Sequence, residues 1–320
     1  ISKYNKKEKS IPLMVMNKLN IAVIGTGYLG KYHLDKYLGN KNVRVKWVID
    51  KDIKNTNLSL NKSIKVSTDF RDVVGDIDAA SIVTPTNTHY EIARYLLDNG
   101  IHILLEKPMT ETLLQAKKLN SLAQRKNVCL QIGHLERFNP VMKNLTSIVK
   151  NPVFIEVHRL AKFNPRSNDV NVVFDLMIHD IDIILSLTKK QIKKIHVYGK
   201  KIITKTTDIA NVRIEFDDKS VANLTSSRIS TKNERKIRIF EKDKYYSVDF
   251  LKSELTVFSK SKNRSKGLYN QKEYKYKKAD ALRDEIKNFV NSCLGIEKPL
   301  VNGVMGMKAL KVADEISRKL

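Results

Sequence analysis

The sequence predicts an α/β protein of two domains: a doubly wound parallel sheet first, then an α+β domain on a largely antiparallel open sheet. Three observations lead there. A glycine-rich turn, Gly25-Thr26-Gly27-Tyr28-Leu29-Gly30, links a short apolar run to a segment with helical spacing. Strand-like and helix-like segments then alternate, the pattern of a parallel sheet covered on both faces. From about Pro152 successive strands with short turns replace that alternation.

In chain order, Asn20–Ile24 reads as a strand ending at the glycine turn and Leu29–Leu38 as the helix behind it. Val43–Ile49 is a second strand, β-branched and ending at Asp50. Asp78–Val83, Ile101–Leu105 and Val128–Ile132 are further strands, separated by helices at His89–Asn99 and Glu111–Lys126. Beyond Pro152, strands are expected at Val153–Leu160, Ile195–Lys200, Ala210–Phe216, Val221–Ser227, Lys236–Phe240, Tyr246–Phe250 and Leu255–Phe258. Ala210, Val212, Ile214 and Phe216 alternate with polar residues, the period of a strand buried on one face. Helices are expected at Phe174–Leu187, Ala281–Leu294 and Gly306–Lys319. The division is 1–17 as an extension or tail, 18–139 as the nucleotide-binding domain and 140–320 as a substrate-binding and oligomerisation domain, its last helix free to pack back on the first.

The chain of 320 residues is long enough for two cores, and its two cysteines, Cys129 and Cys293, are too few for a disulfide framework or a metal-binding CxxC pair. No apolar run approaches the roughly 20 residues that span a bilayer, and no signal peptide is legible, so membrane insertion is not expected and a cytoplasmic location is. The net charge of +25 raises nucleic acid as a partner. Lysines spread along the chain, beside abundant Asn and Ile, point instead to codon bias and a solvated surface, with no nucleic acid bound. Lys260–Lys278 is a denser run with Tyr269, Tyr274 and Tyr276 interleaved, read as a charged loop or strand edge.

In the turn, Gly25 permits the tight bend, Gly27 lets the backbone approach a pyrophosphate and Gly30 lets helix and strand pack closely, the fingerprint of a Rossmann domain. Asp50, twenty positions beyond Gly30, suits the ribose hydroxyls and repels a 2′-phosphate. NAD is therefore the expected cofactor, with NADP as the alternative through Lys51 and Lys54.

Oxidising a secondary alcohol needs a base for the proton and a positive group for the developing alkoxide. Glu106-Lys107-Pro108 stands at the carboxyl end of a strand, where open parallel sheets bind ligands. If Asp175–Asp182 is helical, Asp175, His179 and Asp182 share one face while Met177, Ile181 and Ile184 face a core. That face suits a base with orienting carboxylates, a metal site or a satisfied polar surface; no metal is expected.

Together the glycine fingerprint, Thr84-Pro85-Thr86-Asn87-Thr88-His89, Glu106-Lys107-Pro108 and Asp175, His179 and Asp182 resemble the Gfo/Idh/MocA oxidoreductases, from Asn20 nearly to the C-terminus. The resemblance implies NAD(P) on the first domain and a sugar or polyol in the cleft. It implies His179 as base, Asp175 as its orienting partner and Lys107 polarising the reacting oxygen, with His179 and Lys107 able to exchange roles. It also places Thr84, Pro85 and Asn87 along the cofactor near its nicotinamide end with His89 close by, and counts Glu106 and Lys107 among the cofactor-binding residues. The chain departs from the family at Asn171-Val172-Val173 and Met177, where many members carry glycines, so its substrate loop is shaped differently.

Gly133–Pro140 and His158–Arg166 resemble a subgroup, bacterial UDP-N-acetylglucosamine 3-dehydrogenases, which oxidise the sugar 3-hydroxyl ahead of amino-sugar formation in lipid A or related surface glycans. Arg166, with Lys162 or Arg159, then suits a diphosphate, Arg137 joins the substrate set, and Arg228 is a weaker candidate. A strand edge with solvated charges and a structural Arg137 is the alternative. A dehydrogenase of a free sugar, inositol or polyol is the rival activity, and a non-catalytic NAD-binding regulator the rival class, opposed by the joint presence of Lys107, Asp175 and His179. The family also implies a homo-oligomer, dimer or tetramer.

Overall fold

A computed structural model describes residues 18–52, 54, 63–164, 170–261, 267–277 and 279–320; the expected extension over 1–17, and Arg166, lie outside them. Six strands, β1 (Leu19–Ile24), β2 (Val43–Ile49), β3 (Lys65–Ser67), β4 (Ala79–Ile82), β5 (His102–Glu106) and β6 (Leu130–Gly133), form a parallel sheet in the order β3-β2-β1-β4-β5-β6. Their near-continuous apolar runs are what a sheet covered on both faces requires. Helices α1 (Tyr28–Leu38), α2 (Thr86–Asp98) and α3 (Leu113–Lys126) make the crossovers. Thr112 and Gln115 close a capping box at the start of α3. Strand order reverses between β1 and β4, so the chain leaves their carboxyl ends in opposite directions and opens a crevice there.

Helix α4 (Pro140–Ile148), capped by Asn139, leads into the second domain. Its strands are β7 (Phe154–Leu160), β8 (Ile192–Lys200), β9 (Ile209–Phe216), β10 (Val221–Ser227), β11 (Glu234–Glu241), β12 (Lys244–Asp249), β13 (Glu254–Lys260) and β14 (Tyr269–Lys275). They form one sheet, β14-β13-β12-β11-β7-β10-β9-β8, antiparallel except for the β7–β10 pair. Ala210, Val212, Ile214 and Phe216 are buried and their neighbours on β9 are not, as the alternation requires. The lysine- and tyrosine-rich run carries the outermost strand, β14, exposed along its whole length, and its lysines discourage edge-to-edge pairing.

The covered face packs on α5 (Ile178–Leu187), the turn before it and α7 (Gly303–Arg318). The single helix expected over Phe174–Leu187 is two pieces: Val173–Met177 is π-helical and only Ile178 onward is α-helical. Both C-terminal helices reach the first domain. Leu282, Ile286, Phe289 and Val290 of α6 (Ala281–Cys293) share a core with Leu19, Ile21 and Val23 of β1. Before α7, the Val301 carbonyl accepts a hydrogen bond from Ile132 N–H at 2.9 Å, extending the contact to β6. Among the described residues, no helix is long and apolar enough to cross a membrane.

Candidate active site

The glycine turn is built by exclusion. Gly25 has φ +88°, and a Cβ there would lie 2.6 Å from the Val83 carbonyl oxygen; one on Gly30 would lie 1.9 Å from the Gly25 carbonyl oxygen. These two glycines let β1, β4 and α1 meet. Gly27 differs, since nothing of the protein lies within 4 Å of where its Cβ would be. It is the N-cap of α1 with no side-chain hydrogen bond capping the helix, so the positive end of the helix dipole lies beside that open space, an arrangement that fits a pyrophosphate. Tyr28 and Leu29 begin α1, and Tyr28 stands exposed with its ring edge-on to Tyr32.

Asp50 ends β2 beside that turn. Its Oδ2 accepts from Thr26 N–H at 2.7 Å and from the Thr26 hydroxyl at 2.9 Å, and its Oδ1 from Asp52 N–H at 3.0 Å. Asp50 thus holds the turn in shape, and a carboxylate's further lone pairs leave it able to accept from a ribose.

Across the crevice, Pro85, Asn87, Pro108, Thr110 and Phe174 line one cleft. The Thr88 hydroxyl bonds back toward Thr84 and Pro85 and fixes the start of α2. His89, expected at the nicotinamide end, is instead buried: its ring nitrogens sit 2.8 Å from the Thr84 carbonyl and 3.0 Å from that of Pro108. It clamps the loop after β4 to the loop after β5, and burial lowers its pKa despite those carbonyls. Glu106 likewise turns inward, its Oε1 lying 3.2 Å from His33 Nε2 and its Oε2 accepting from Lys107 N–H at 3.2 Å. Burial opposes its charge, but His33 and Lys107 outweigh burial and hold its carboxyl below the usual range.

Lys107 follows, joined to Pro108 by a cis peptide. Its Nζ donates to the main-chain carbonyl of Asp175 at 2.7 Å and lies 3.9 Å from Asp175 Oδ1. This contact joins the two domains across the crevice. π-Helical turns inside helices often mark functional sites, and this one presents Asp175 to Lys107. The expected bond from Asp175 to His179 is absent, because Asp175 belongs to the π-helical turn and His179 to the α-helical register after it. His179 Nδ1 is buried with no partner among the described residues, and its ring meets that of His134 edge-on at 6.1 Å. Burial first, then the charges of Lys107 and Arg159, push the His179 pKa well below 6.5, so the imidazole is neutral at neutral pH.

The expected phosphate-binding arginines divide differently. Arg159 is buried in β7, its Nε and Nη2 donating to Asp180 at 2.8 Å each and its Nη1 to Glu136 at 3.0 Å. Arg228 is buried on Asp208 at 2.9 Å and on the Val170 carbonyl at 2.7 Å. Arg137, nearly buried, pairs with Asp182 at 3.4 Å. All three pair with internal carboxylates; Arg159 and Arg228 are buried, whereas Arg137 also lines a cleft with Phe138, Asn139 and Tyr276, and its pairing draws Asp182 away from the His179 face. Lys162 is exposed beyond β7. His134 carries no signal of a role in the sequence; its position next to His179 depends on β6 ending beside α5.

A parallel dinucleotide domain, a glycine cradle and a lysine–histidine pair at the crevice define an NAD-binding oxidoreductase. The chain belongs to the Gfo/Idh/MocA family: the family's NAD-binding Rossmann-fold model matches residues 19–134 and its C-terminal domain model residues 152–245. It is 32% identical, over 94% of its length and 97% of the relative's, to UDP-N-acetylglucosamine 3-dehydrogenase of Acidithiobacillus ferrooxidans. The solved structure of that enzyme, GnnA, superposes with a TM-score of 0.89 at 32% identity over 95% of this chain and 98% of the other. WlbA dehydrogenase from Bordetella pertussis, in complex with NADH and UDP-GlcNAcA, shares the fold with a TM-score of 0.82 at 14% identity, covering 96% of each chain. Scyllo-inositol dehydrogenase from Lactobacillus casei, with NAD(H) and scyllo-inositol bound, does so at 0.80 and 19%, covering 95% of this chain and 97% of the other.

Proposed function

We propose that the protein oxidises the 3-hydroxyl of a UDP-N-acetylhexosamine with NAD. The observation that carries this substrate is the likeness to the Acidithiobacillus enzyme, which spans both domains and nearly the whole of that protein. Polyol dehydrogenases are more distant, as with the scyllo-inositol 2-dehydrogenase of Bacillus subtilis at 25% identity over 67% of this chain.

NAD, held by Gly25–Gly30 and Asp50, supplies the hydride acceptor. His179, kept neutral by burial and by Lys107, takes the hydroxyl proton at Nε2, the nitrogen other than the buried Nδ1. The Lys107 ammonium, aimed by the Asp175 carbonyl, stabilises the developing alkoxide. Thr84, Pro85 and Asn87 border the nicotinamide end. For the diphosphate, Lys162 and Arg166 are the cations this reading retains, whereas Arg137 and Arg159 support the site from inside.

The 3-keto product suits amination on the way to lipid A or a related surface glycan. The enzyme works in the cytoplasm as a homo-oligomer, and a row of aromatic rings across β7, β11, β12, β13 and β14 supports the oligomer. Phe154, Phe240, Tyr245, Phe258 and Tyr269 run there with centroids 5.6, 4.7, 5.3 and 5.7 Å apart.

The test is to mix the purified protein with NAD or NADP and a panel of UDP-sugars and polyols, with an aminotransferase removing ketone, and to follow reduced cofactor by absorbance. Reduction with a UDP-N-acetylhexosamine is expected. Turnover confined to polyols overturns the substrate, and cofactor binding without turnover makes the protein a regulator.

A further inference from the structure

Arg228, a candidate cation in the sequence, has no part in the chemistry above. It follows β10 directly, is buried, and reaches several acceptors at once. Its Nε donates to Asp208 Oδ1 at 2.9 Å and its Nη1 to the main-chain carbonyl of Val170 at 2.7 Å. Its Nη2 donates to the hydroxyl of Thr204 at 2.8 Å and to that of Thr206. Asp208 is buried too, and its Oδ2 accepts from the N–H groups of Ile202, Ile203 and Thr204 at 2.7, 2.7 and 2.9 Å. Burial opposes its charge, but those donors and the Thr204 hydroxyl outweigh burial and hold the carboxyl below its usual range. The loop between β8 and β9 is therefore folded round one carboxylate, and Arg228 ties that loop to Val170.

The tie continues toward the crevice. Val170 and Phe174 line the cleft with Pro85, Asn87, Pro108 and Thr110. The Val170 carbonyl also accepts from the Thr206 hydroxyl at 3.3 Å, and Val172 N–H donates to the Thr207 carbonyl at 3.0 Å. Between these two anchors, Asn171 Oδ1 accepts from Val173 N–H at 3.1 Å and Phe174 N–H at 3.2 Å, and the Asn171 carbonyl accepts from Asp175 N–H at 3.1 Å. The Asp175 carbonyl in turn receives Lys107 Nζ. Hydrogen bonds and two short stretches of main chain thus lead from a buried guanidinium to the ammonium at the crevice. A lysine at 228 would be a single point of charge and could not satisfy Asp208, Val170 and two hydroxyls together.

We propose that Arg228, acting with Asp208 and Thr206, is a positioning residue: it holds Val170 and Asn171, and so sets one wall of the cleft and the Asp175 carbonyl that aims Lys107. The kinetic effect rests on the reading of Lys107 given above; the hold on the segment does not.

Steady-state kinetics and hydrogen exchange of the peptide covering residues 170–177 test this on the full chain. Arg228→Lys keeps a cation beside Asp208 but gives up the planar fork. Thr206→Val leaves the Arg228–Asp208 pair in place and removes the hydroxyl between Arg228 and Val170. Both should speed exchange of that peptide, by about tenfold in Arg228→Lys. They should lower kcat by about tenfold in Arg228→Lys and about threefold in Thr206→Val, with KM for NAD unchanged because the glycine turn belongs to the other domain. Thr206→Ser restores the hydroxyl and should return exchange and kcat to parental values. A lowered Tm with parental kcat makes the network merely structural and overturns the proposal, as does unchanged exchange of the peptide in both variants. Should Arg228→Lys not fold, Thr206→Val and Thr206→Ser decide alone. Exchange needs no substrate, so faster exchange in an enzyme that turns over no UDP-sugar upholds the hold on the segment and places the failure in the substrate reading.

Discussion

The ammonium of Lys107 and the main-chain carbonyl of Asp175, 2.7 Å apart, tie the residue that follows β5 to a π-helical turn of the other domain. A main-chain acceptor cannot be removed by changing the Asp175 side chain. Asp175→Asn should therefore leave the aim of Lys107 intact and lower kcat only modestly, about tenfold or less, whereas Lys107→Met should lower kcat by a factor of about 100 or more. Steady-state kinetics with the UDP-sugar checks both; equal losses would show that the Asp175 carboxylate carries the effect.

His179 gives a pH signature. Its pKa is below 6.5 because of burial and then the Lys107 charge, so the base is free down to pH values below that of an ordinary histidine. The acid limb of kcat/KM should lie below pH 6.5 in the parent and move upward in Lys107→Met, where a repelling charge is gone. An acid limb unmoved by that substitution would assign the titration to another group.

The glycines separate folding from binding. Gly30→Ala brings a Cβ to 1.9 Å from the Gly25 carbonyl oxygen and should lower Tm and abolish NAD binding together. Gly27→Ala meets no protein atom within 4 Å, so Tm should stay within a few degrees of the parent's while NAD affinity falls about tenfold or more. Calorimetric titration and thermal unfolding of both variants provide the readout; unchanged affinity in Gly27→Ala would place the pyrophosphate elsewhere.

Arg159 predicts a stability effect instead of a substrate effect. Arg159→Ala strands Asp180 in the interior, while Glu136 keeps Arg235, and breaking a buried pair costs about 3–5 kcal/mol. Denaturant unfolding should show that loss, and KM for the UDP-sugar in protein that remains folded should be unchanged. A raised KM with parental stability would return Arg159 to the diphosphate.

Glu285 makes stability depend on pH in a fixed direction. Burial first, then the charge of Glu106, raises its folded pKa, so its contribution is complete below the unfolded glutamate value of about 4.3 and is lost as pH rises toward the folded value. Glu285→Gln has no proton to lose. Its stability relative to the parent should grow across that interval, measured by denaturant midpoints at successive pH values; a constant difference would mean that Glu285 does not titrate on unfolding.

The alternation of parallel strands with helices, the glycine turn and the strand period of β9 were legible because each is set by local periodicity or by a position where only glycine fits. Strand β3 was not, since three residues show no period. Helix α4 has a start signal in Asn139 and Pro140, but its nine residues are too few to show a clear helical period. The arginines show how charge misleads: Ile155, Val157 and Arg159 share the buried face of β7, and that alternation alone points Arg159 inward. Glu285 likewise sits with Leu282, Ile286 and Phe289 on the apolar stripe of α6. The break between π-helical and α-helical turns at Met177 has no counterpart in residue pattern, so the separation of Asp175 from His179 was out of reach.

The core that α6 completes has a consequence for synthesis on the ribosome. Leu19, Ile21 and Val23 are among the earliest described residues to be made, yet their apolar cover includes Leu282, Ile286, Phe289 and Val290, among the latest. During elongation that face of the parallel sheet must wait, wet or held by a chaperone, until the second domain has emerged. A strand face that closes only with α6 joins residues far apart in sequence, and contacts of that separation are slow to form.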